Sequence, residues 1–171
     1  MATQGGVPLE HYVAQYGLDL TRFAYLVCGD RNRAEDLVQE VYLAMYRRFG
    51  DLVPAELPKA YARTAIVRAN TSLSRHRWFG ERPIERLPEV GLSDQHPVET
   101  DQLWQQLDAL SHRQRCVLVL RYRYGYSDPE IAEMLGCRPA SVRSLAARAL
   151  AELRSRAGSN TLTHRTGEET L

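Results

Sequence analysis

The chain is short of several things that would each point to a class of protein. It has 171 residues and no run of roughly 20 apolar residues, so a membrane-spanning helix is excluded. Its first eight residues, Met1 to Pro8, are polar and contain neither Lys nor Arg, which is unlike a secretory leader and predicts a cytoplasmic protein. Its three cysteines, Cys28, Cys116 and Cys137, lie far apart, are odd in number and form no CxxC pair. That excludes a disulfide framework and leaves them as small buried or half-buried residues. The five histidines, His11, His76, His96, His112 and His164, fall at no metal-ligand spacing, so no metal is expected. There is no glycine-rich phosphate loop, no nucleophile beside a base and no carboxylate pair in a plausible pocket. No enzyme and no cofactor are implied. Convincing strand alternation is also missing.

What is present is ordinary in bulk and uneven in arrangement. The chain is 44% hydrophobic and 25% charged, as in globular proteins, with a net charge of +1. Ten basic and eight acidic side chains fall in residues 1–80, two and six in 81–101, nine and five in 102–156, and one and two in 157–171. The corresponding net charges are +2, −4, +4 and −1, so two mildly basic blocks flank an acidic connector. Lys59 is the one lysine among 22 basic residues.

Helical periodicity dominates, and it predicts an all-α protein of two small modules joined by a flexible linker. A first helix spans Leu9 to Val27, with Tyr12, Tyr16, Leu20, Phe23 and Val27 on one face and Gly29 as its stop. A second starts with Asn32 as cap and Glu35 completing a capping box. Leu37, Val38, Val41, Ala44, Met45 and Arg48 share one side of it; Asp36, Gln39, Glu40, Leu43 and Arg47 share the other. Asp51 to Pro58, with two prolines, reads as a loop. A third helix runs from about Lys59 to Arg77, with Ala62, Ala65, Ile66, Ala69 and Leu73 facing inward. No acidic residue occurs between Glu56 and Glu81, an interval holding Lys59, Arg63, Arg68, Arg75 and Arg77. Like charges along a helix repel, and a polyanionic partner would relieve that repulsion. This first module is assigned to residues 8–79 and the linker, rich in proline and glycine, to 80–100.

The second module is assigned to 101–156. A short helix is expected from Asp101 to Leu110. Ser111 to Gln114 is a capping box opening a helix that ends near Gly125, and Ser127 to Glu130 is another, opening a helix to Leu135. Gly136-Cys137-Arg138 forms a tight turn, and a last helix runs from Pro139 to about Arg156. The tail, 157–171, shows no periodicity and reads as unstructured. Two short helices around a three-residue turn containing glycine make a helix-turn-helix. Val142, Ala146, Ala149, Leu150 and Leu153 would pack on Ile131, Ala132 and Leu135. Ser141, Ser144 and Arg148 lie on another face, flanked by Arg138 and Arg143, a surface suited to the major groove.

Each signal has a plain alternative. The arginines of the last helix fit an ordinary solvated hairpin, the basic third helix fits a solvated face, and Asp36, Gln39 and Glu40 fit a solubilising patch. Tyr61, Trp78 and Phe79 fit stacking on single-stranded bases or burial in a core, with Tyr61 favouring the core and the other two favouring stacking.

Taken in order, the segments Ala34-Glu35-Asp36-Leu37-Val38-Gln39-Glu40-Val41, Leu110 to Tyr122, Glu130 to Gly136, Ser141 to Ser144 and Arg148-Ala149-Leu150 resemble the extracytoplasmic-function sigma factors of bacterial RNA polymerase, over about residues 9–156. The resemblance implies a region 2 that docks on the beta-prime clamp helices of RNA polymerase core through Asp36, Gln39 and Glu40. It implies that Lys59, Arg63, Arg68, Asn70, Arg75, Arg77 and Trp78 engage the −10 element and its melted strand. It implies a region 4 on the beta flap that recognises the −35 element through Arg138, Ser141, Arg143, Ser144 and Arg148. An anti-sigma factor is a further implied partner. Where the family often has asparagine this chain has Arg68, with Asn70 two residues on, so the −10 preference does not carry over. A stand-alone regulator with the same helix-turn-helix and a purely interacting helical module are the competing functions. The first leaves the Asp36–Glu40 patch without a role, and the second predicts weak DNA binding.

Overall fold

The computed structural model describes the backbone of residues 5–77 and 106–163, and the side chains of 5–72 and 106–158. The linker read at 80–100, Trp78 and Phe79, the start of the helix read from Asp101 and the last eight residues lie outside the described ones. The chain divides into two compact units, Met1–Gln102 and Leu103–Leu171.

In the first unit, α1 (Leu9–Cys28), α2 (Arg31–Phe49) and α3 (Lys59–Arg77) pack on one another. The apolar face of α1 is as the spacing predicts: Tyr12, Leu20, Phe23 and Val27 are buried, and Tyr16 is half-buried. Gly29 ends the helix in the left-handed conformation, φ 80°, and its N–H donates to the Tyr25 carbonyl. The cap of α2 is Asp30, not Asn32: the Asp30 carboxylate accepts from the Arg33 N–H at 2.8 Å. Asp30 follows the glycine turn directly and is extended, so the helix begins earlier and Asn32 falls inside its first turn. Ala34, Leu37, Val38, Val41 and Met45 are buried on α2. Ala44 and Arg48, expected on that side, are exposed. Ala44 lies roughly 80° off the stripe, and Arg48 is in the last turn, past the end of the core.

The inward face of α3 is also turned relative to the expected stripe. Ala62, Ile66, Val67 and Asn70 are buried, whereas Ala65 and Ala69 are half-buried. With Val67 buried beside Ile66, Asn70 falls on the inward side, where the Arg33 guanidinium reaches it from α2 at 3.0–3.2 Å. Two short strands were not expected. β1 (Gly6–Pro8) pairs antiparallel with β2 (Leu52–Pro54), inside the segment read as loop. Three residues are too few to show alternation, and on β2 Val53 alone is buried. A Cβ at Gly6 would sit 3.0 Å from the Leu52 Cβ, so glycine permits this pairing. The Leu9 N–H donates to the Asp51 carbonyl at 2.9 Å, satisfying a group at the start of α1 that has no side-chain cap.

In the second unit, α4 (His112–Leu118) opens on the expected Ser111–Gln114 capping box. It does not continue as one α-helix toward Gly125. It widens into a π-turn at Val119–Arg123, where the Tyr124 N–H donates five residues back to the Val119 carbonyl. The widened turn keeps Val119 and Leu120 buried while Tyr122 is 62% exposed. Of the helix expected at Asp101–Leu110, the described part is helical at Gln106 and Leu107 and then turns. Asp108 in that turn holds the buried Arg115 at 2.7 Å.

Helix α5 (Asp128–Leu135) has the Ser127–Glu130 capping box and Pro129 in its first turn. Gly136 follows at φ 62°, and α6 runs from Pro139 to Thr163. This is longer than the end expected near Arg156, so residues 157–163 of the presumed tail are helical. Extending an anchored helix requires no new nucleation, so these residues can be helical without an apolar period in their sequence.

Replacing Ser127 with Ala should destabilise the second unit by about 1 kcal/mol, read by thermal or urea unfolding. Gly136→Ala should cost about 1–2 kcal/mol from backbone strain alone, since nothing lies within 4 Å of the added methyl. Two hydrogen bonds from Ser127 hold the Glu130 carboxyl below its ordinary pKa. A lowered folded pKa stabilises above the unfolded value and is lost as pH falls through the folded one. The stability of the protein relative to Glu130→Gln should therefore decline as pH drops below about 4. The decline should be small, because the group is exposed and screened.

Candidate functional site

On α2, Asp36, Gln39 and Glu40 are all exposed at three- and four-residue steps, so they form one patch. Leu43, 55% exposed, continues that face, and Tyr46, 51% exposed, lies beside it. The patch is therefore acidic and amide at its N-terminal end and apolar at the other. Tyr46 was missed in the sequence because it follows the buried Met45. Its spacing of three from Leu43 and seven from Gln39 was the available signal.

The basic residues of α3 whose side chains are described do not form one surface. Lys59 Nζ lies 2.6 Å from Asp19 on α1 and 5.7 Å from the Tyr16 ring centroid. The Lys59 ammonium in turn holds the Asp19 carboxyl below its ordinary pKa. Arg63 is half-buried, with its guanidinium 5.5 Å from the Phe23 ring centroid. Arg68 is exposed. Asn70 is 1% exposed and bonded to Arg33, so it presents no surface to a nucleic acid in this structure. Arg75 and Arg77 lie on α3 with side chains outside the described set, and Trp78 is outside it altogether.

A second basic and aromatic group was not anticipated. Arg48, expected to face inward, lies 5.4 Å from the Phe49 ring centroid and 5.9 Å from that of Tyr61. Those two rings meet edge to face at 6.0 Å, and both are half-buried rather than fully in the core. Behind them burial pushes the Tyr12 hydroxyl up to about 12, with the neighbouring tyrosines adding to the shift.

In the second unit the helix-turn-helix is built as its sequence predicts. α5 and α6 pack on each other, with Ile131, Ala132 and Leu135 on one side and Val142, Ala146 and Ala149 on the other. Leu150 and Leu153 are half-buried. The turn is closed by the Cys137 N–H donating to the Ala132 carbonyl at 2.9 Å and the Ser141 N–H to the Arg138 carbonyl at 2.9 Å. Arg138, Ser141, Arg143, Ser144 and Arg148 are all exposed. Arg148 Nε donates to the Ser144 carbonyl at 3.3 Å, which lays the guanidinium along the helix toward its N-terminal end. Cys28 and Cys116 are buried and Cys137 is half-buried, as expected of packing residues. Among the described residues no cluster of His, Cys, Asp and Glu has the makings of a metal site, and no helix is long and apolar enough to cross a membrane.

Comparison with known proteins places these two units. Residues 12–79 match the family model described as Sigma-70 region 2, and residues 100–153 match Sigma-70, region 4. The chain is 33% identical over 147 residues to an RNA polymerase sigma-E factor of Streptomyces avermitilis, covering 85% of this chain and 82% of that one. It is 26% identical over 159 residues to the ECF RNA polymerase sigma factor SigX of Bacillus subtilis, covering 81% and 78%. Among solved structures, the sigma factor RpoE in complex with the anti-sigma factor NepR, from Bartonella quintana, has the same fold. Its TM-score is 0.61 at 20% identity, covering 85% of this chain and 94% of that one. CnrH in complex with the cytosolic domain of CnrY has a TM-score of 0.56 at 22% identity, covering 88% of each chain. With region 2 and region 4 present in order and with relatives matched over most of their length, the chain belongs to the extracytoplasmic-function sigma factors of the sigma-70 family, proteins that direct the initiation of transcription.

Proposed function

We propose that this sigma factor brings RNA polymerase core to promoters by recognising a −35 duplex with its second unit and a melted −10 strand with its first. The observation that carries the reading is the outward array on the helix-turn-helix. Arg138, Ser141, Arg143, Ser144 and Arg148 are all exposed, on a helix whose opposite face is locked to α5. Small hydroxyl side chains at Ser141 and Ser144 permit close approach to base edges, and the arginines supply guanine or phosphate contacts. On the first unit, Asp36, Gln39 and Glu40 dock on the beta-prime clamp helices, with Leu43 and Tyr46 giving that contact its apolar part. The second unit docks on the beta flap. The −10 strand is met by Arg68 and by Arg75, Arg77 and Trp78, and the Arg48–Phe49–Tyr61 cluster is a further platform for stacking. Lys59 and Arg63 act mainly within the bundle. Two similar folds were solved in complexes, one with the anti-sigma factor NepR and one with the cytosolic domain of CnrY, and the first supports an anti-sigma partner for this chain as well. RNA synthesis itself remains the work of the polymerase.

The test is run-off transcription with purified polymerase core on fragments of host promoters, with and without this protein. Transcripts that require the protein support the reading. Duplex binding by the protein alone, with no dependence on core, overturns it in favour of a stand-alone regulator. Arg148→Ala should weaken promoter use by about 1–3 kcal/mol, selectively at one −35 position, if the guanidinium pairs with a base edge. If it touches phosphate alone, the loss should be uniform across −35 sequences and the salt slope should fall by about one unit. Undiminished transcription would remove Arg148 from the interface. The double change Asp36→Lys with Gln39→Ala should weaken core binding by roughly tenfold or more, while the melting temperature stays within roughly 2 °C. Unaltered core affinity in a competition assay would refute the docking assignment.

A further inference from the structure

The contact between Arg33 and Asn70 is unlike the rest of the first unit's interior. Asn70 is the one polar or charged residue buried among the described part of that unit. Arg33 Nε and Nη2 both donate to its Oδ1, at 3.1 and 3.0 Å, and Nη2 also donates to the Asn70 backbone carbonyl at 3.2 Å. A planar guanidinium bonded at two points of one residue fixes both the rotation and the axial position of the helix that carries it. An apolar pair here would avoid desolvating polar groups, and it would also tolerate sliding and rotation of one helix on the other. Polar pairs in a core are best attested where they fix register.

The position of the contact indicates what that register serves. Arg33 is in the first turn of α2, one turn before Asp36 and two before Glu40, at the border between the buried stripe and the exposed patch. Its backbone N–H is held by the Asp30 cap, so the residue is tied at both ends. Asn70 is the last buried residue on α3 among the described side chains; Thr71 is half-buried and Ser72 is exposed. From Asn70 the helix continues to Arg77, and that stretch carries Arg75 and Arg77. Among the described side chains the fork is therefore the last buried contact before the basic end of α3, and it is made from the helix that bears the proposed core-docking patch.

We infer that Arg33 is a positioning residue that holds the basic end of α3 in register with the polymerase-docking helix, so that docked core and melted −10 strand are presented together. This rests on the function proposed above. The asparagine that the family often carries on this helix is two residues earlier, at the position of Arg68, so the role of that asparagine does not carry over to Asn70.

The experiment uses the full chain with polymerase core and a promoter found by run-off transcription. It reads three quantities for each variant: melting temperature, core affinity by competition, and permanganate reactivity of thymines in the melted −10 region. Asn70→Leu keeps the size and removes the acceptor; Arg33→Met keeps the stem and removes the fork; Asn70→Asp keeps an acceptor that the guanidinium can grip. Asn70→Leu and Arg33→Met should lower permanganate reactivity roughly tenfold, the scale of losing a hydrogen bond to a charged group, with core affinity held within about twofold. Asn70→Asp should restore reactivity. The double variant Arg33→Met with Asn70→Leu, which puts two apolar side chains in contact, separates register from stability. Regained melting temperature without regained promoter opening supports the inference, and this arm serves if either single variant folds poorly. Full opening in either single variant, opening regained together with stability in the double, or a parallel loss of core affinity overturns it. Absence of core-dependent permanganate reactivity with the unaltered protein would instead defeat the proposed function itself.

Discussion

Leu20 and Phe23 of α1, Leu37 and Met45 of α2 and Ile66 of α3 are all closed to solvent where the three helices of the first unit meet. Burying one such side chain is worth about 1.5–3 kcal/mol, several times a surface ion pair. In a unit this small there is one such meeting point, so it sets the rotation of each helix about its own axis. Everything presented outward follows from that rotation. Asp36, Gln39 and Glu40 share a surface because Leu37, Val38 and Val41 cannot leave the core. The exposed patch is what remains when the apolar stripe has been placed.

The second unit obeys the same constraint with different hardware. Val142, Ala146 and Ala149 must face Ile131, Ala132 and Leu135, and this turns Ser141, Ser144 and Arg148 away from α5. Small alanines on the packed side let the helices approach closely, and the left-handed Gly136 permits the chain to reverse in three residues. The capping boxes at Ser111 and Ser127 fix where α4 and α5 begin, so the turn, and with it the start of α6, has a defined place. The π-turn at Val119–Arg123 adds a residue to one turn of helix and leaves Tyr122 exposed directly after the buried Val119 and Leu120.

Features with a local physical cause were legible in the sequence. The helix stop at Gly29, the two serine capping boxes, the turn at Gly136 and the face containing Ser141, Ser144 and Arg148 each depend on a few neighbouring residues. What stayed hidden depends on distant ones. Asn70 looked like one more polar residue on a basic helix, and its burial is decided by Arg33, 37 positions away. The β1–β2 pair joins segments more than forty residues apart through strands too short to carry a pattern. Asp30 and Asn32 are both good caps, and the choice between them was made by the backbone of the preceding glycine turn. The helical end of α6, residues 157–163, carries no apolar repeat in its sequence to leave a periodic trace.

The basic helix shows why charge counted along a sequence overstates charge available to a partner. Five cations and no acid between Glu56 and Glu81 imply strong repulsion along one helix. In three dimensions the two near its start are drawn into the bundle, Lys59 by Asp19 and the Tyr16 ring, and Arg63 by the Phe23 face. Each such contact lowers the repulsion and also removes a cation from the surface a polyanion would meet. Among the described side chains Arg68 is the cation of this helix left exposed, and the sequence carries Arg75 and Arg77 beyond the last described buried residue, Asn70. Among the described side chains, the helix packs through Ala62, Ile66, Val67 and Asn70, and further arginines follow in the sequence. On the inference drawn above, the Arg33–Asn70 contact would couple the placement of the core to that of the arginines that follow it.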